Sequence, residues 1–251
     1  FSQISVPFQA HTNFFDGTIE EVSEVAIKED NFFPSLAITY IMDEEMQFRL
    51  NLSETTIRPD MRDVSSTYYV DPLTEFLVRG SPTLQSSKLK NADFRFEWYM
   101  PSGNNLSVAL FYKDIENPIE MVELAGVGGA APQLLTANAQ SGELTGIEVD
   151  FLTDFSFIHN DLSAIFLSGN VTLSDSSVEL GINDADGVDS LFEQQLKEAL
   201  EADSVSNIVT NNKRRLVGHS EWVANLQMGY DSADGFHSTS VVYNVFGPRI
   251  I

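Results

Sequence analysis

The segment Met46-Gln47-Phe48-Arg49-Leu50-Asn51-Leu52-Ser53 decides the fold, because its residues alternate without a break between apolar and polar. Successive side chains of a β-strand point to opposite faces of a sheet, so this strand has one apolar face and one wet face. Arg49 adds a charge in the middle of the wet face. The segment is therefore predicted to be a strand of a sheet whose two faces meet different surroundings.

The same alternation recurs in four pairs of segments, each pair joined by a short turn. The pairs are 36–42 with 46–53, 93–98 with 106–113, 147–151 with 165–174, and 222–230 with 240–245. Long polar connections follow the first three pairs, at residues 58–90, 114–146 and 175–220. Compact soluble domains rarely contain connections of this length without a functional reason.

Two further features concern the faces and ends of the predicted strands. Charged residues occupy the middle of the polar faces, namely Arg49, Arg95, Glu97, Glu148 and Asp150. Aromatic residues cluster near the short turns, namely Tyr40, Trp98, Tyr99, Phe155, Phe157 and Tyr230. An all-β fold with these features, short turns and long loops is typical of an antiparallel transmembrane β-barrel with an aromatic girdle. A soluble β-sandwich also alternates and stays an alternative.

Composition excludes several classes of protein. The 251 residues include 37 acids and 14 bases, for a net charge of −23, so nucleic-acid binding is excluded on charge. The sequence has no run of 18 apolar residues, so no transmembrane helix is predicted. The acids concentrate before the first pair and in the longest connection, as a solvated surface or a cation-attracting vestibule would have them.

No catalytic constellation is predicted, so the chain is not expected to be an enzyme. It has no cysteine, and its four histidines are scattered through different turns and strand ends. The strained serine-elbow pattern Gly-x-Ser-x-Gly does not occur. The glycine-rich stretch 126–129 lacks the following lysine of a phosphate-binding loop.

One weak metal candidate lies in the longest connection. Asp184, Asp186 and Asp189 surround a glycine turn and can converge on a hard cation such as Ca²⁺, although the stretch lacks the full EF-hand register. The alternative is an acidic turn that leads into a short helix at residues 190–200, which carries an apolar stripe. No other cofactor is predicted.

Six segments resemble motifs of the TonB-dependent receptors. Each motif is weak alone, but their order and their positions at strand ends are those of the family. They are Arg58-Pro59-Asp60-Met61-Arg62-Asp63-Val64-Ser65, Val78-Arg79-Gly80-Ser81-Pro82-Thr83-Leu84, Phe111-Tyr112-Lys113-Asp114-Ile115-Glu116-Asn117-Pro118-Ile119-Glu120, Gly142-Glu143-Leu144-Thr145-Gly146-Ile147-Glu148, Leu216-Val217-Gly218-His219-Ser220 and Val242-Tyr243-Asn244-Val245-Phe246-Gly247-Pro248-Arg249-Ile250.

The chain also departs from the family pattern at several positions. Met61 replaces an aromatic residue, Asp63 and Val64 replace glutamate and leucine, Ser81 replaces asparagine, and His219 replaces the usual glutamine. Gly142 and Gly146 are expected to allow a bend or a bulge at the barrel rim.

The resemblance implies active uptake of a scarce solute across the bacterial outer membrane. About eight strands of a larger, roughly 22-stranded barrel are expected here, with residues 1–251 forming one partial barrel domain. No leader is visible at Phe1 and the chain stops just after a strand, so the N-terminal plug domain and the final strands are expected to be absent from it. A passive porin, an adhesin barrel and a soluble β-rich binding domain are the alternatives.

The resemblance also implies partners and a region for substrate contact. The expected partners are outer-membrane lipid, the TonB complex acting through the missing plug, and a small solute such as a siderophore, oligosaccharide, vitamin or peptide. Substrate contacts are predicted at loop positions, namely Arg62, Tyr68, Tyr69, Arg79, Asn138 and Gln140.

Overall fold

The computed structural model describes residues 2–6, 25–65, 68–72, 75–81, 84–124, 133–180 and 213–250. The strands are β1 (Ser2–Val6), β2 (Val25–Glu29), β3 (Ser35–Ile41), β4 (Met46–Ile57), β5 (Tyr68–Val70), β6 (Leu77–Arg79), β7 (Ser87–Tyr99), β8 (Asn105–Glu116), β9 (Ile119–Leu124), β10 (Gln133–Asn138), β11 (Ser141–Asp154), β12 (Ile165–Glu179), β13 (Lys213–Arg214), β14 (Trp222–Asp231) and β15 (Ser238–Phe246). Among these described residues the helical content is one 3-10 turn, Asn160–Leu162.

Eight long strands form one antiparallel sheet, in the order β15-β14-β12-β11-β8-β7-β4-β3, with the short β13 paired to β12. This confirms the predicted number of strands and all four predicted pairs. Each pair is joined by a short connection, and the tightest runs from Ile41 to Met46, where the Asp43 carboxylate accepts the backbone N–H groups of Glu45 and Met46. The described part of the sheet is open, because β3 and β15 each pair with one neighbour.

The register of the sheet sorts its side chains into one apolar and one polar face. Across the pairs Phe48↔Phe96, Phe96↔Val108 and Val108↔Val149, apolar residues stand directly opposite one another. We call this the outward face; its band continues through Val171 and Ala224 to Val245. The outward band is solvent-exposed in the isolated chain, with Leu110 half exposed and Val241 71% exposed. An apolar surface of this extent indicates a contact with another apolar medium.

The opposite face, which we call the inward face, carries polar residues along the same rows. One row runs Gln47↔Glu97↔Ser107↔Asp150↔Asn170↔Asn225↔Asn244 across seven strands. At the end of the strands away from the short turns the inward face becomes apolar, where Leu89, Ile115 and Val178 are buried. The change shows that other parts of the chain cover the inward face at that end.

The covering element is a second, four-stranded sheet in the order β5-β6-β10-β9, which we call the cap sheet. The connections 58–90 and 114–146 were predicted as polar loops, and this part of the prediction is wrong, because each contributes two strands. They join through the parallel pair β6–β10. Buried residues of β9 and β10 pack against the end of β12, and this cluster consists of Val122, Leu135, Ala137, Ala139, Val178 and Leu180, with Leu216 against it.

Gly142 and Gly146 were expected to allow a bend or a bulge, and the bulge is wrong. β11 pairs one-for-one with β8 and with β12 through both glycines. Gly146 is needed for close packing, because an added Cβ would lie 2.4 Å from the Phe111 ring and 2.7 Å from the Leu173 carbonyl oxygen. On the inward face, the Phe111 ring occupies the space that a side chain at residue 146 would need.

The helix predicted at residues 190–200 lies outside the described residues. No helix in the described part of the chain has the length and apolar character needed to cross a membrane.

Candidate functional site

The cap sheet is held in place by two of the sequence motifs, which pack against each other. Gly80 lies directly against the turn at residues 58–65, where an added Cβ would sit 2.3 Å from the Asp63 carbonyl oxygen and 2.4 Å from that of Ser65. The Ser81 N–H donates to the Asp63 carbonyl at 2.7 Å. Burial raises the pKa of the Asp63 carboxyl, and Val64 beside it is buried. The two motifs therefore form one structural unit.

Four of the predicted substrate-contact residues form two arginine–tyrosine pairs on or beside the cap sheet. The Arg79 guanidinium carbon lies 5.5 Å from the centre of the Tyr68 ring, and these residues are paired between β5 and β6. The Arg62 guanidinium carbon lies 5.3 Å from the centre of the Tyr69 ring. Both distances fit cation–π contacts. Tyr68 is 45% exposed, so at least one pair presents its ring to solvent.

Asn138 and Gln140, the other two predicted contact residues, lie at the end of β10. The Asn138 amide donates to the carbonyl oxygens of Gln85 and Asn117, both at 3.0 Å, and accepts the Gln85 N–H at 2.8 Å. These bonds tie the two long connections together. Gln140 is exposed, and its N–H donates to the Glu179 carbonyl. Asn138 thus supports the cap sheet, while Gln140 is accessible to a ligand.

A nearly buried ion pair joins β9 of the cap sheet to β13. Arg214 Nη2 lies 2.9 Å from Glu120 Oε2, and the two side chains are only 16% and 6% exposed. Arg214 also donates to the Met121 carbonyl at 3.0 Å. Burial raises the pKa of the Glu120 carboxyl, and the Arg214 charge opposes that rise. The pair fixes the cap sheet to the strand that returns from the longest connection.

The inward face carries a second group of charges at mid-height of the sheet. Arg95 Nη2 lies 2.6 Å from Asp150 Oδ2 and 3.4 Å from Glu148 Oε1. Arg49 Nε lies 3.0 Å from Glu97 Oε2, and Glu97 is 7% exposed. These side chains come from β4, β7 and β11, so the network crosses the inward wall. From β12 to β15 the same row of the inward wall consists of the amides Asn170, Asn225 and Asn244, and Asn225 Nδ2 donates to Asn170 Oδ1 at 2.6 Å.

This arrangement of an outward apolar band, a charged inward wall and strands in the long connections can be compared with known families. A family model described as "TonB dependent receptor-like, beta-barrel" matches residues 8–250. The chain belongs to the TonB-dependent receptor family. A comparison of the sequence with curated proteins finds no match.

Solved TonB-dependent receptors and related transporters share the fold at low sequence identity. The siderophore receptor PirA from Pseudomonas aeruginosa is 15% identical over 86% of this chain and 34% of its own, with a TM-score of 0.56. The hemophore receptor HasR of Serratia marcescens is 13% identical over 98% of this chain and 40% of its own, with a TM-score of 0.61. The copper transporter OprC is 11% identical over 99% of this chain and 32% of its own, with a TM-score of 0.58. This chain therefore spans 32–40% of the length of these three proteins.

Membership of the TonB-dependent receptors shows which face of the sheet contacts lipid and which lines the lumen. The family's barrels lie in the outer membrane of Gram-negative bacteria. In such barrels, lipid-facing and lumen-facing residues alternate along each strand, with an apolar band outside and a polar interior. The outward face is therefore the lipid-facing wall, and the inward face, with Arg95 and Glu97, is the lumen wall. The cap sheet lies at the end of the long connections, which is the external end of such a barrel.

The remaining predicted site residues, Asp184, Asp186 and Asp189, lie outside the described residues, and calcium binding there stays a prediction. In the described ranges no cluster of three or more acidic, histidine or cysteine side chains is arranged to hold a metal.

Sequence reasoning did not identify the pair Glu120 and Arg214, which holds the cap sheet to β13. The segment Ile119–Leu124 does not alternate, because Met121 and Val122 are consecutive apolar residues, so it gave no clear strand signal. No local pattern indicated the contact of Glu120 with Arg214, since 94 residues separate them.

Proposed function

We propose that the complete protein takes up a scarce solute across the outer membrane in a TonB-dependent manner, with this chain supplying lumen wall and external loops. The main support is the combination of the family match with a charged lumen wall behind a continuous lipid-facing band. Outer-membrane lipid is then the partner of the outward face. The TonB complex is the partner of the plug domain that the family carries.

The arginine–tyrosine pairs indicate the chemistry of the solute. A guanidinium binds carboxylate, phosphate or phenolate oxygens, and a phenol ring adds stacking and a hydrogen bond. Arg79 with Tyr68 and Arg62 with Tyr69 suit an anionic solute with aromatic or oxygen-rich groups. The solved proteins of similar fold are described as receptors for a siderophore and for a heme-carrying hemophore, and as a copper transporter. We infer that the solute carries a metal ion in a chelate or macrocycle.

Uptake by cells that produce the complete protein tests this proposal. Labelled ferric siderophores, heme and copper are offered one at a time, with and without TonB. Uptake of one solute that needs TonB is the expected result, and equal uptake without TonB would identify a passive pore instead.

Charge-matched variants separate the loop site from general effects on the barrel. Arg79→Gln and Arg62→Gln each remove one guanidinium. We expect each variant to increase the KM for uptake about tenfold, because the solute loses one charge-assisted hydrogen bond. Lys88→Gln is the control, since Lys88 is exposed on the outward face, opposite Glu116 on β8. An equal effect of all three variants would contradict the assignment of the loop site.

A further inference from the structure

Residues 213–221, which we call the clasp, return from the longest connection along the external end of β12. β13 pairs with Val178 and Glu179 at the end of β12. Leu216 packs against the buried cluster between β12 and the cap sheet. The Gly218 N–H donates to the Ile250 carbonyl at 2.9 Å. The clasp therefore joins the lumen wall and the cap sheet at the external end of the barrel.

One histidine sits at the centre of the contact between the clasp and β12. His219 Nε2 lies 2.8 Å from the Ser174 hydroxyl, and His219 Nδ1 lies 2.8 Å from the Ser176 hydroxyl. Ser174 and Ser176 both lie on the inward face of β12, two residues apart, so one imidazole ring spans both. Both ring nitrogens are thus occupied by neutral hydroxyl groups.

The neighbouring hydrogen bonds determine which nitrogen carries the proton. The Ser176 hydroxyl oxygen accepts the Leu216 N–H at 3.2 Å, so the Ser176 hydroxyl hydrogen is available to His219 Nδ1. The Ser174 hydroxyl donates to the Ser220 carbonyl at 3.4 Å, so its oxygen accepts from Nε2–H. This pattern satisfies every group with a neutral imidazole. A second proton on Nδ1 would turn an acceptor into a donor and leave the Ser176 hydroxyl without that acceptor.

The surroundings of His219 also disfavour its charged form. Burial and the positive charge of Arg215 lower the pKa of His219, and the carboxylates of Asp175 and Glu221 only partly oppose this. Arg215 is itself paired with Glu221 at 3.1 Å, which reduces the net charge that the clasp presents to the ring. On the β12 side Asp175 is the charged neighbour. The clasp therefore holds a histidine that takes up a proton less readily than one in solvent.

We propose that His219 makes the clasp acid-sensitive, so that protonation of its ring releases residues 213–221 from β12 and loosens the cap sheet. A histidine in solvent has a pKa near 6.5. As the pH falls below that value, the open clasp binds the proton before the closed clasp does. The closed form therefore has its full stability above pH 6.5 and loses it toward the lowered pKa.

Hydrogen exchange of the complete protein in detergent micelles tests this proposal. Exchange of the amides of residues 213–221 is measured between pH 7.5 and 5.5 and corrected for the intrinsic effect of pH. In the natural sequence we expect opening of the clasp to increase as the pH falls, by up to tenfold per pH unit between the two pKa values. In His219→Gln we expect protection that does not change over this range. His237→Gln, at an exposed turn at the opposite end of the sheet, is the control and should behave as the natural sequence does.

Three outcomes would overturn the proposal. They are a clasp in the natural sequence whose protection does not change with pH, an equal pH dependence in His219→Gln, and a loss of pH dependence in His237→Gln. Ser176→Ala keeps the proposal falsifiable if His219→Gln disrupts the clasp. Without the Ser176 hydroxyl, the closed clasp accepts a proton on Nδ1 more readily, so the two pKa values approach each other and opening should depend less on pH than in the natural sequence. A pH dependence in Ser176→Ala that is as steep as in the natural sequence would contradict the proposal.

Discussion

Removal of one member of the Glu120–Arg214 pair should open the cap sheet selectively. In Arg214→Leu, the Glu120 carboxylate, which is 6% exposed, keeps its charge and loses its partner at 2.9 Å. Breaking a buried pair in this way costs about 3–5 kcal/mol. Arg214 remains 16% exposed, so we expect the lower end, about 3 kcal/mol. That corresponds to roughly a hundredfold larger opening constant for β9 and β10.

Hydrogen exchange of residues 119–124 and 133–138 at pH 7.5 measures this opening, with β11 as the internal reference. The double variant Glu120→Leu with Arg214→Leu removes both charges and should recover most of the protection, because well-packed apolar residues often replace a buried pair without loss. Unchanged protection in Arg214→Leu, or a double variant that is as open as the sum of the two single variants, would show that the ion pair does not hold the cap sheet in place. In Arg214→Leu the Glu120 pKa rises further, so falling pH should restore the cap sheet as the carboxyl is neutralised.

Three further substitutions test the packing and the faces of the sheet. Gly80→Ala places a Cβ 2.3 Å from the Asp63 carbonyl oxygen and should destabilise the cap sheet by about 2–3 kcal/mol, measured by local hydrogen exchange. Gly229→Ala places a Cβ 2.2 Å from the Phe166 ring and should lower the unfolding temperature of the barrel in detergent; Phe166→Leu in the same chain should restore most of the loss. Leu110→Arg should cost about 2–4 kcal/mol of stability in bilayers, as expected for a lipid-facing position near mid-membrane.

The main sheet could be predicted from sequence because its signal is local. Alternation along Met46–Ile57 and its partners is imposed by two different media, and it identifies the strand and its faces without knowledge of neighbours. The short turns could also be predicted from local sequence. In the first turn, for example, the Asp43 carboxylate accepts the backbone N–H of Met46, three residues away. For the same reason the predicted strand pairs agree with the structure.

The cap sheet could not be predicted because its causes are non-local. β6 and β10 come from different connections and pair in parallel, and the apolar residues of β9 and β10 are buried against the end of β12. Gly146 was expected to allow a bend or a bulge, but the structure shows that the Phe111 ring opposite it leaves no room for a side chain. Arg62, Tyr68, Tyr69 and Arg79 were chosen as loop residues. The contact of Arg79 with Tyr68 follows from the β5–β6 register, whereas Arg62 reaches Tyr69 from the turn at residues 58–65.

In the outer membrane, the outward face contacts lipid and the inward face lines a lumen. The natural sequence contains no cysteine, so single cysteines at positions 106 to 111 of β8 can each carry one spin label. Accessibility to oxygen, which partitions into lipid, and to a water-soluble nickel complex is then measured for the complete protein in bilayers.

We predict that oxygen accessibility rises and falls with a period of two residues, high at Leu106, Val108 and Leu110 and low at Ser107, Ala109 and Phe111. Equal access of the nickel complex to both sets of positions would mean that both faces meet water, and it would contradict the assignment of the outward face to lipid.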